Sequence, residues 1–386
     1  MQVTEAIKYV GVNDHNIDLF EGQYDVRENG MAYNSYVVLG KKVAVADTVD
    51  AHFVKEWLGN VEAALAGRTP DYLVVHHMEP DHSAGIVAFM DRYPEAQVVA
   101  SKMAFKMMNA YFGTDFADRQ IVCKEGFELD LGGRTLSFIG AANVHWPEVM
   151  FSYDSQDKVL FSADAFGKFG ANDVEDPEGW ACEARRYYFG IVGKFGKNVQ
   201  AVLKKVASLD VECICPLHGP VLPENLPYYL GTYTTWSNYE PEDHGVTIAY
   251  ASVYGHTKQA AEELAGALRE KGETVSLFDL VRDDMAEAVE DAFRYDRLVL
   301  ASITYTGGMF PFMNTFIHTL AEHAYQNRKV AFIESGTWAP AAAKAMRAQM
   351  EQMADIQFAE TVVTVRGSVD DAARAQIAAL ANELTE

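Results

Sequence analysis

Basic residues are scarce in this chain: 32 Lys and Arg stand against 55 Asp and Glu in 386 residues, a formal net charge of −23. A protein that holds nucleic acid must neutralise phosphates with Lys and Arg, so this balance excludes that class of partner. Arg185, Arg186, Lys194, Lys197, Lys204 and Lys205 fall near one helical stretch and read as a solvated face. Cysteine is rare too, and Cys123, Cys182, Cys213 and Cys215 include no C-x-x-C pair. Cys213 and Cys215, two apart on an expected strand, share a face as buried thiols, which fits a reducing, cytoplasmic setting. No apolar run reaches the length that spans a membrane. Met1 to Ala6 lack the basic and apolar regions of a secretory signal.

What remains is an ordinary globular composition, 49% hydrophobic and 23% charged, long enough for two domains with a core each. The polar segment Asn238-Tyr239-Glu240-Pro241-Glu242-Asp243-His244-Gly245 has linker character. It sets an expected boundary between residues 1–243 and 244–386.

Potential metal ligands are concentrated in the first part. His77-Met78-Glu79-Pro80-Asp81-His82 reads H-x-E-x-D-H and follows the apolar run Tyr72-Leu73-Val74-Val75, an expected buried strand. Strand carboxyl ends are where α/β sheets place their chemistry. Three further candidates also follow strand-like runs. His145 comes after Thr135–Ile139, Asp164 after Val159–Ser162, and His218 after Val211–Cys215. A lone histidine is more often a hydrogen-bonded or surface residue than a ligand. Four such groups packed together without a metal, however, would leave repelling charges and unpaired polar groups. Four imidazoles and three carboxylates exceed the needs of one tetrahedral ion and suit two ions with a bridging carboxylate. His76, out of register with the pentad, reads as a supporting histidine. His15, His52, His244, His256, His318 and His323 read as ordinary histidines with respect to metal.

This order of ligands resembles the metallo-β-lactamase fold, whose zinc hydrolases carry H-x-H-x-D-H. Glu79 stands where that pattern has its second histidine. A carboxylate in place of a neutral imidazole adds charge and hard oxygen character, which favours iron over zinc. The Glu-for-His version resembles the flavodiiron proteins.

From Val246 onward the pattern is regular β/α alternation. Strand-like runs at Val246–Ala251, Thr274–Phe278, Arg297–Ser302, Lys329–Ile333 and Thr361–Val365 are separated by helical stretches such as Lys258–Leu268. Five strands and about five helices in this length match a flavodoxin-like doubly wound parallel sheet. The first turn, Ser252-Val253-Tyr254-Gly255-His256-Thr257, offers hydroxyls and a glycine at a helix start, with no lysine and no triphosphate-type motif. It suits a phosphate monoester. Two more loops, Thr304-Tyr305-Thr306-Gly307-Gly308 and Ser335-Gly336-Thr337-Trp338-Ala339-Pro340, end the third and fourth strands and lie where flavodoxins contact the isoalloxazine of FMN. A Gly-Gly pair alone is only a turn, and a loop Trp alone is usually packing; three such loops together point to FMN.

The resemblance to flavodiiron proteins therefore runs the length of the chain: a metallo-β-lactamase-like αββα domain, then a flavodoxin-like domain. It implies FMN and two irons, with His77, Glu79 and His145 on one iron, Asp81, His82 and His218 on the other, and Asp164 bridging. It implies reduction of dioxygen to water or nitric oxide to nitrous oxide. Trp146, directly after a ligand, is a candidate pocket wall, its alternative being a core aromatic. With no rubredoxin module in the sequence, electrons are expected from a separate donor: rubredoxin, a flavoprotein reductase or a reduced deazaflavin coenzyme. A head-to-tail homodimer, alone or doubled, is the expected assembly. Two other classes stay open: a dinuclear zinc hydrolase fused to a flavodoxin-like domain, disfavoured by Glu79, and a pure electron-transfer flavoprotein, which would not need seven intact ligands.

Overall fold

The computed structural model describes residues 2–385. Contacts divide the chain into two compact units, one ending at Thr234 and the next beginning at Thr235. The division falls inside the helix Leu226–Ser237, upstream of residue 243, where the strand Asp243–Ala251 starts.

In the first unit two sheets share one core. The first sheet runs in the order Ile7–Tyr9, Tyr36–Leu39, Val43–Ala46, Tyr72–Val75, Gln97–Ser101, Gln120–Cys123. The second runs Glu128–Asp130, Thr135–Gly140, Met150–Asp154, Val159–Phe161, Cys213–Cys215. Strand side chains alternate, so each sheet sends every second residue inward. Tyr36, Val38, Ala44, Ala46 and Val74 meet Leu136, Phe138, Val159, Phe161 and both strand cysteines, Cys213 and Cys215. Helices close the outer faces. Val54–Leu65 buries Trp57, Val61 and Leu65, four residues apart and hence on one stripe. Gly196–Val206 buries Val199, Val202, Leu203 and Val206 and leaves Lys197, Lys204 and Lys205 in solvent. The solvated basic face stops there. Arg185 and Arg186 are buried, and Arg186 bonds to Glu183 at 2.9 Å and lies over the Phe169 ring. The guanidinium can be buried because a carboxylate and an aromatic face replace its water.

The second unit is a parallel sheet in the order Val275–Asp279, Asp243–Ala251, Tyr295–Tyr305, Arg328–Ser335, Ile356–Val365, or 2-1-3-4-5 in chain order. That is the flavodoxin-like order, whose crevice lies beside the first strand where the winding reverses. Helices His256–Glu270 and Asp371–Thr385 pack together on one face through Ala260, Leu264, Leu268, Ile377 and Leu384. The buried parallel strands read as near-continuous apolar runs for this reason, since both faces are covered. Among the described residues no helix is long and apolar enough to cross a membrane.

Candidate metal centre and cofactor cleft

The pentad works because the chain changes conformation in its middle. After the strand Tyr72–Val75 the chain bends at His76 and reaches Glu79 with an extended backbone (φ −56°, ψ 139°), and the side chains of His77 and Glu79 meet at 3.1 Å. Pro80 then starts a single helical turn, Pro80–Ser83, at the position where a missing N–H costs nothing. That turn aims Asp81 and His82 elsewhere. Two ligand groups result: His77, Glu79, His145 and Asp164 in one, Asp81, His82 and His218 in the other.

Within the first group, His145 Nε2 lies 3.1 Å from Glu79 Oε2 and 3.0 Å from Asp164 Oδ2. His77 Nε2 is 3.1 Å from the same Glu79 oxygen and 3.4 Å from Asp164 Oδ2. In the second, His82 Nε2 and His218 Nε2 approach to 3.0 Å, and each is within 3.4 Å of Asp81 Oδ2. Asp164 joins the groups, since its other oxygen, Oδ1, sits 3.3 Å from His82 Nε2. All seven expected ligands are thus brought together, and four of them, His77, His82, Asp164 and His218, are fully buried.

The orientation of the rings is set from behind. Glu148 Oε1 accepts from His77 Nδ1 at 2.8 Å and from the Met78 amide at 2.9 Å. His218 Nδ1 donates to the Ala32 carbonyl at 2.7 Å. With Nδ1 donating backwards, both rings turn Nε2 to the centre, the orientation a metal ligand requires. His76 faces away: its ring bridges Asp47 at 2.6 Å and Ser152 at 2.8 Å, tying the two sheets together.

Electrostatics shows what the cluster needs. Burial alone would lower the His77 pKa, but Asp164, Glu148 and Glu79 outweigh it and hold the imidazole well above its ordinary value. Burial pushes Asp164 up, and the histidines around it overcome that and hold it well below the usual carboxylate range. Even so, both oxygens of Asp81 and Asp164 Oδ1 are buried with no hydrogen-bond donor. Each buried carboxylate without full compensation costs several kcal/mol, against a typical total stability of about 5–15 kcal/mol. Cations at the two groups remove that penalty, and the donor set of imidazoles and carboxylates without thiolate suits iron. The residues fit the pair of ions.

Aromatic rings wall the centre. Trp146 stands edge-on to His77 at 5.2 Å, and Tyr33 and Phe20 pack against His218 at 5.9 and 5.4 Å. Tyr187 lies 5.5 Å from the same imidazole, its buried hydroxyl without a hydrogen-bond partner. Burial, then the charges of Asp164, Glu79 and Asp81, drive the Tyr187 pKa well above its ordinary value, so the hydroxyl keeps its proton. Glu148, Tyr33 and Tyr187 were not legible as site residues. Only Glu148 carried a signal, an acid three positions after His145 in the same turn.

In the second unit a cleft of roughly 370 Å³ opens at the carboxyl edge of the sheet. It is lined by Ser252, Val253, Tyr254, His256 and Thr257, by Thr304, Thr306 and Gly307, and by Ser335, Gly336, Thr337 and Trp338. Gly255 sits behind them at φ 93°, a conformation open to glycine, and its amide donates to Ser252 Oγ at 3.1 Å. The helix His256–Glu270 then begins without a side-chain cap, leaving its first N–H groups for an anion. Tyr305 and Gly308 do not line the cleft. They pair across a hairpin whose tip, Thr306 and Gly307, has positive φ at both residues. Ala339 of the expected third loop lines it too, and Ile303 and Gly367 line it unforeseen, Gly367 from a fourth loop after the strand Ile356–Val365. A phosphate cradle beside a cleft flanked by Tyr254 and Trp338, at 85% and 89% exposure, fits FMN.

Comparison with known proteins agrees with this geometry. Residues 31–219 match the ODP family beta lactamase model and residues 247–372 the flavodoxin domain model. The chain thus joins a beta-lactamase-type domain to a flavodoxin domain. Rubredoxin oxygen:oxidoreductase from Desulfovibrio gigas superimposes with a TM-score of 0.92 at 24% identity, covering 100% of this chain and 97% of that one. The flavodiiron protein of Giardia intestinalis gives 0.90 at 21% identity, covering 99% and 96%. At those identities the match establishes the flavodiiron fold. Among sequence relatives, a putative diflavin flavoprotein of Synechocystis is 31% identical over 84% of this chain and 56% of its own length. The anaerobic nitric oxide reductase flavorubredoxin of Vibrio vulnificus is 28% identical over 88% and 70%. The chain thus spans little more than half of the diflavin relative.

Proposed function

We propose that this chain is a reductase of dioxygen or nitric oxide working with one FMN and two iron ions. The observation that carries the reading is the position of Asp164, with one oxygen against His145 and the other against His82. A carboxylate so placed serves a pair of ions. In this reading His77, Glu79 and His145 would hold one iron and Asp81, His82 and His218 the other, with Asp164 shared between the two groups. FMN held in the cleft would supply the redox chemistry that links a separate donor, such as rubredoxin, a flavoprotein reductase or a reduced deazaflavin, to irons held by the seven ligands, where the gas would be reduced.

The chain's own residues prepare both sites. Glu148 and the Ala32 carbonyl hold His77 and His218 in the tautomer that binds metal. Trp146, Tyr33, Phe20 and Tyr187 pack their rings around the ligand imidazoles, and the Tyr187 hydroxyl is buried without a hydrogen-bond partner. Gly255 and the uncapped helix behind it receive the phosphate. The working unit is a head-to-tail homodimer in the cytoplasm, in which the flavin of one chain serves the irons of the other across an isologous interface.

The test begins with composition. The purified protein should hold about two irons and one FMN per chain, and Asp164→Ala should lose both irons because a bridge serves each. Anaerobic assays of gas consumption with each donor then choose between the gases. Two tightly held zinc ions with hydrolase activity, and no response to either gas after iron loading, would overturn the reading.

A further inference from the structure

The loop after Ser335 carries Trp338, 89% exposed at the rim of the cleft. It leads into the helix Ala342–Met350, whose N-cap position is Ala341, a residue with no side chain to cap it. Its first amides are satisfied all the same, from two neighbouring strands. Thr304 Oγ1 accepts from the Ala341 amide at 2.9 Å and from the Ala342 amide at 3.3 Å. Glu334 Oε2 accepts from the Ala343 amide at 3.0 Å, while its Oε1 accepts from the Thr364 hydroxyl at 3.1 Å. The loop also closes tightly at its base. A Cβ on Gly336 would lie 3.1 Å from Pro340 Cα and 3.2 Å from Thr304 Oγ1.

We propose that Thr304 and Glu334 are positioning residues that latch the Trp338 loop before the cofactor arrives, so the flavin cleft is preformed. The sequence casts Thr304 as a direct flavin contact, yet its hydroxyl oxygen is engaged by two backbone amides. Glu334, which no sequence motif singled out, is buried one residue below the cleft-lining Ser335. Three consecutive amides therefore depend on two side chains of other strands. Loosening either one lets the loop sample many conformations, and FMN must then select the competent one, which weakens binding. The proposal rests on the flavin reading of the cleft.

The experiment uses the full chain stripped of flavin. Hydrogen exchange at the amides of 341–343 is read beside FMN affinity, measured by the loss of flavin fluorescence on binding. Thr304→Val and Glu334→Ala remove the acceptors, whereas Thr304→Ser and Glu334→Gln keep an acceptor oxygen. The first pair should exchange faster at these amides before FMN is added and bind FMN about tenfold more weakly, the scale of a lost cap. The second pair should restore both. If Thr304→Val does not fold, the two Glu334 variants decide. Faster exchange with unchanged FMN affinity would overturn the latch, as would unprotected amides in the parent protein. Failure of the latch alone leaves FMN uptake intact, whereas a parent chain with protected amides and no FMN uptake removes the flavin reading and the latch with it.

Discussion

His145 is the residue at which the metal centre meets pH. Burial alone would lower its pKa, but hydrogen bonds to Asp164 and Glu79 outweigh it and raise the metal-free imidazole to about 9. A protonated ring has no lone pair for a metal, so below that pH an incoming ion must displace a proton. Affinity for a divalent probe such as Co²⁺ should therefore rise with pH across the neutral range. Uptake near pH 7 should release protons into a weakly buffered indicator. Affinity that stays flat across the neutral range would contradict this account. The ligands themselves were legible because a dense run of unlike ligands on a strand end has few other uses. Their supports were not. Glu148 is an ordinary acid until the fold brings it 2.8 Å from His77 Nδ1, and Asp47 is an ordinary acid until it meets His76.

At the level of elements, apolar runs announced the strands, and the structure lengthens several of them into polar residues that pattern alone leaves out. Tyr295–Tyr305 extends the expected 297–302 at both ends, and its far end becomes the hairpin that rims the cleft. The boundary is a sharper case. Residues 238–245 look like a linker by composition, yet the backbone carbonyl of Tyr239 accepts from Arg328 Nη1 at 2.6 Å, and Trp236 Nε1 donates to Glu242 at 2.7 Å. Arg328 is buried among carbonyls, including those of Tyr295 and Phe293. Losing the Tyr239 carbonyl leaves Arg328 Nη1 only the longer bonds to the Gln326 and Asn327 carbonyls, at 3.1 and 3.0 Å, a cost of about 1 kcal/mol. We expect a fragment from Thr235 to resist urea better than one from His244, by roughly that amount. Equal midpoints would show that the intervening segment adds nothing to the second unit.

For the whole molecule, the proposed pairing of chains has a direct readout. A chain carrying Asp164→Ala and a chain with a disabled FMN turn should each be inactive. After subunit exchange the mixed dimer pairs one intact flavin with one intact metal centre across the interface, and gas reduction should reappear. Confirmed heterodimers without activity, or a fully active monomer, would exclude electron transfer between chains. Removing metal should act on one half only. Calorimetry of the metal-free protein should show the first unit melting earlier and the second unchanged, because binding energy spent on the ions is folding energy for the unit that holds them. A uniform shift of both transitions would count against separate stabilities.

The positions of the seven ligands give this a further meaning. His77, Glu79, Asp81 and His82 follow a strand of one sheet, whereas His145, Asp164 and His218 follow strands of the other. An ion pair gripping both sets is a staple across the sandwich. Like any cross-link between distant points of a chain, it removes conformations from the unfolded state as well as adding bonds to the folded one. The centre proposed to handle a gas is thus also the rivet of its own domain, and damage that ejects the metal would loosen the fold that has to take it back.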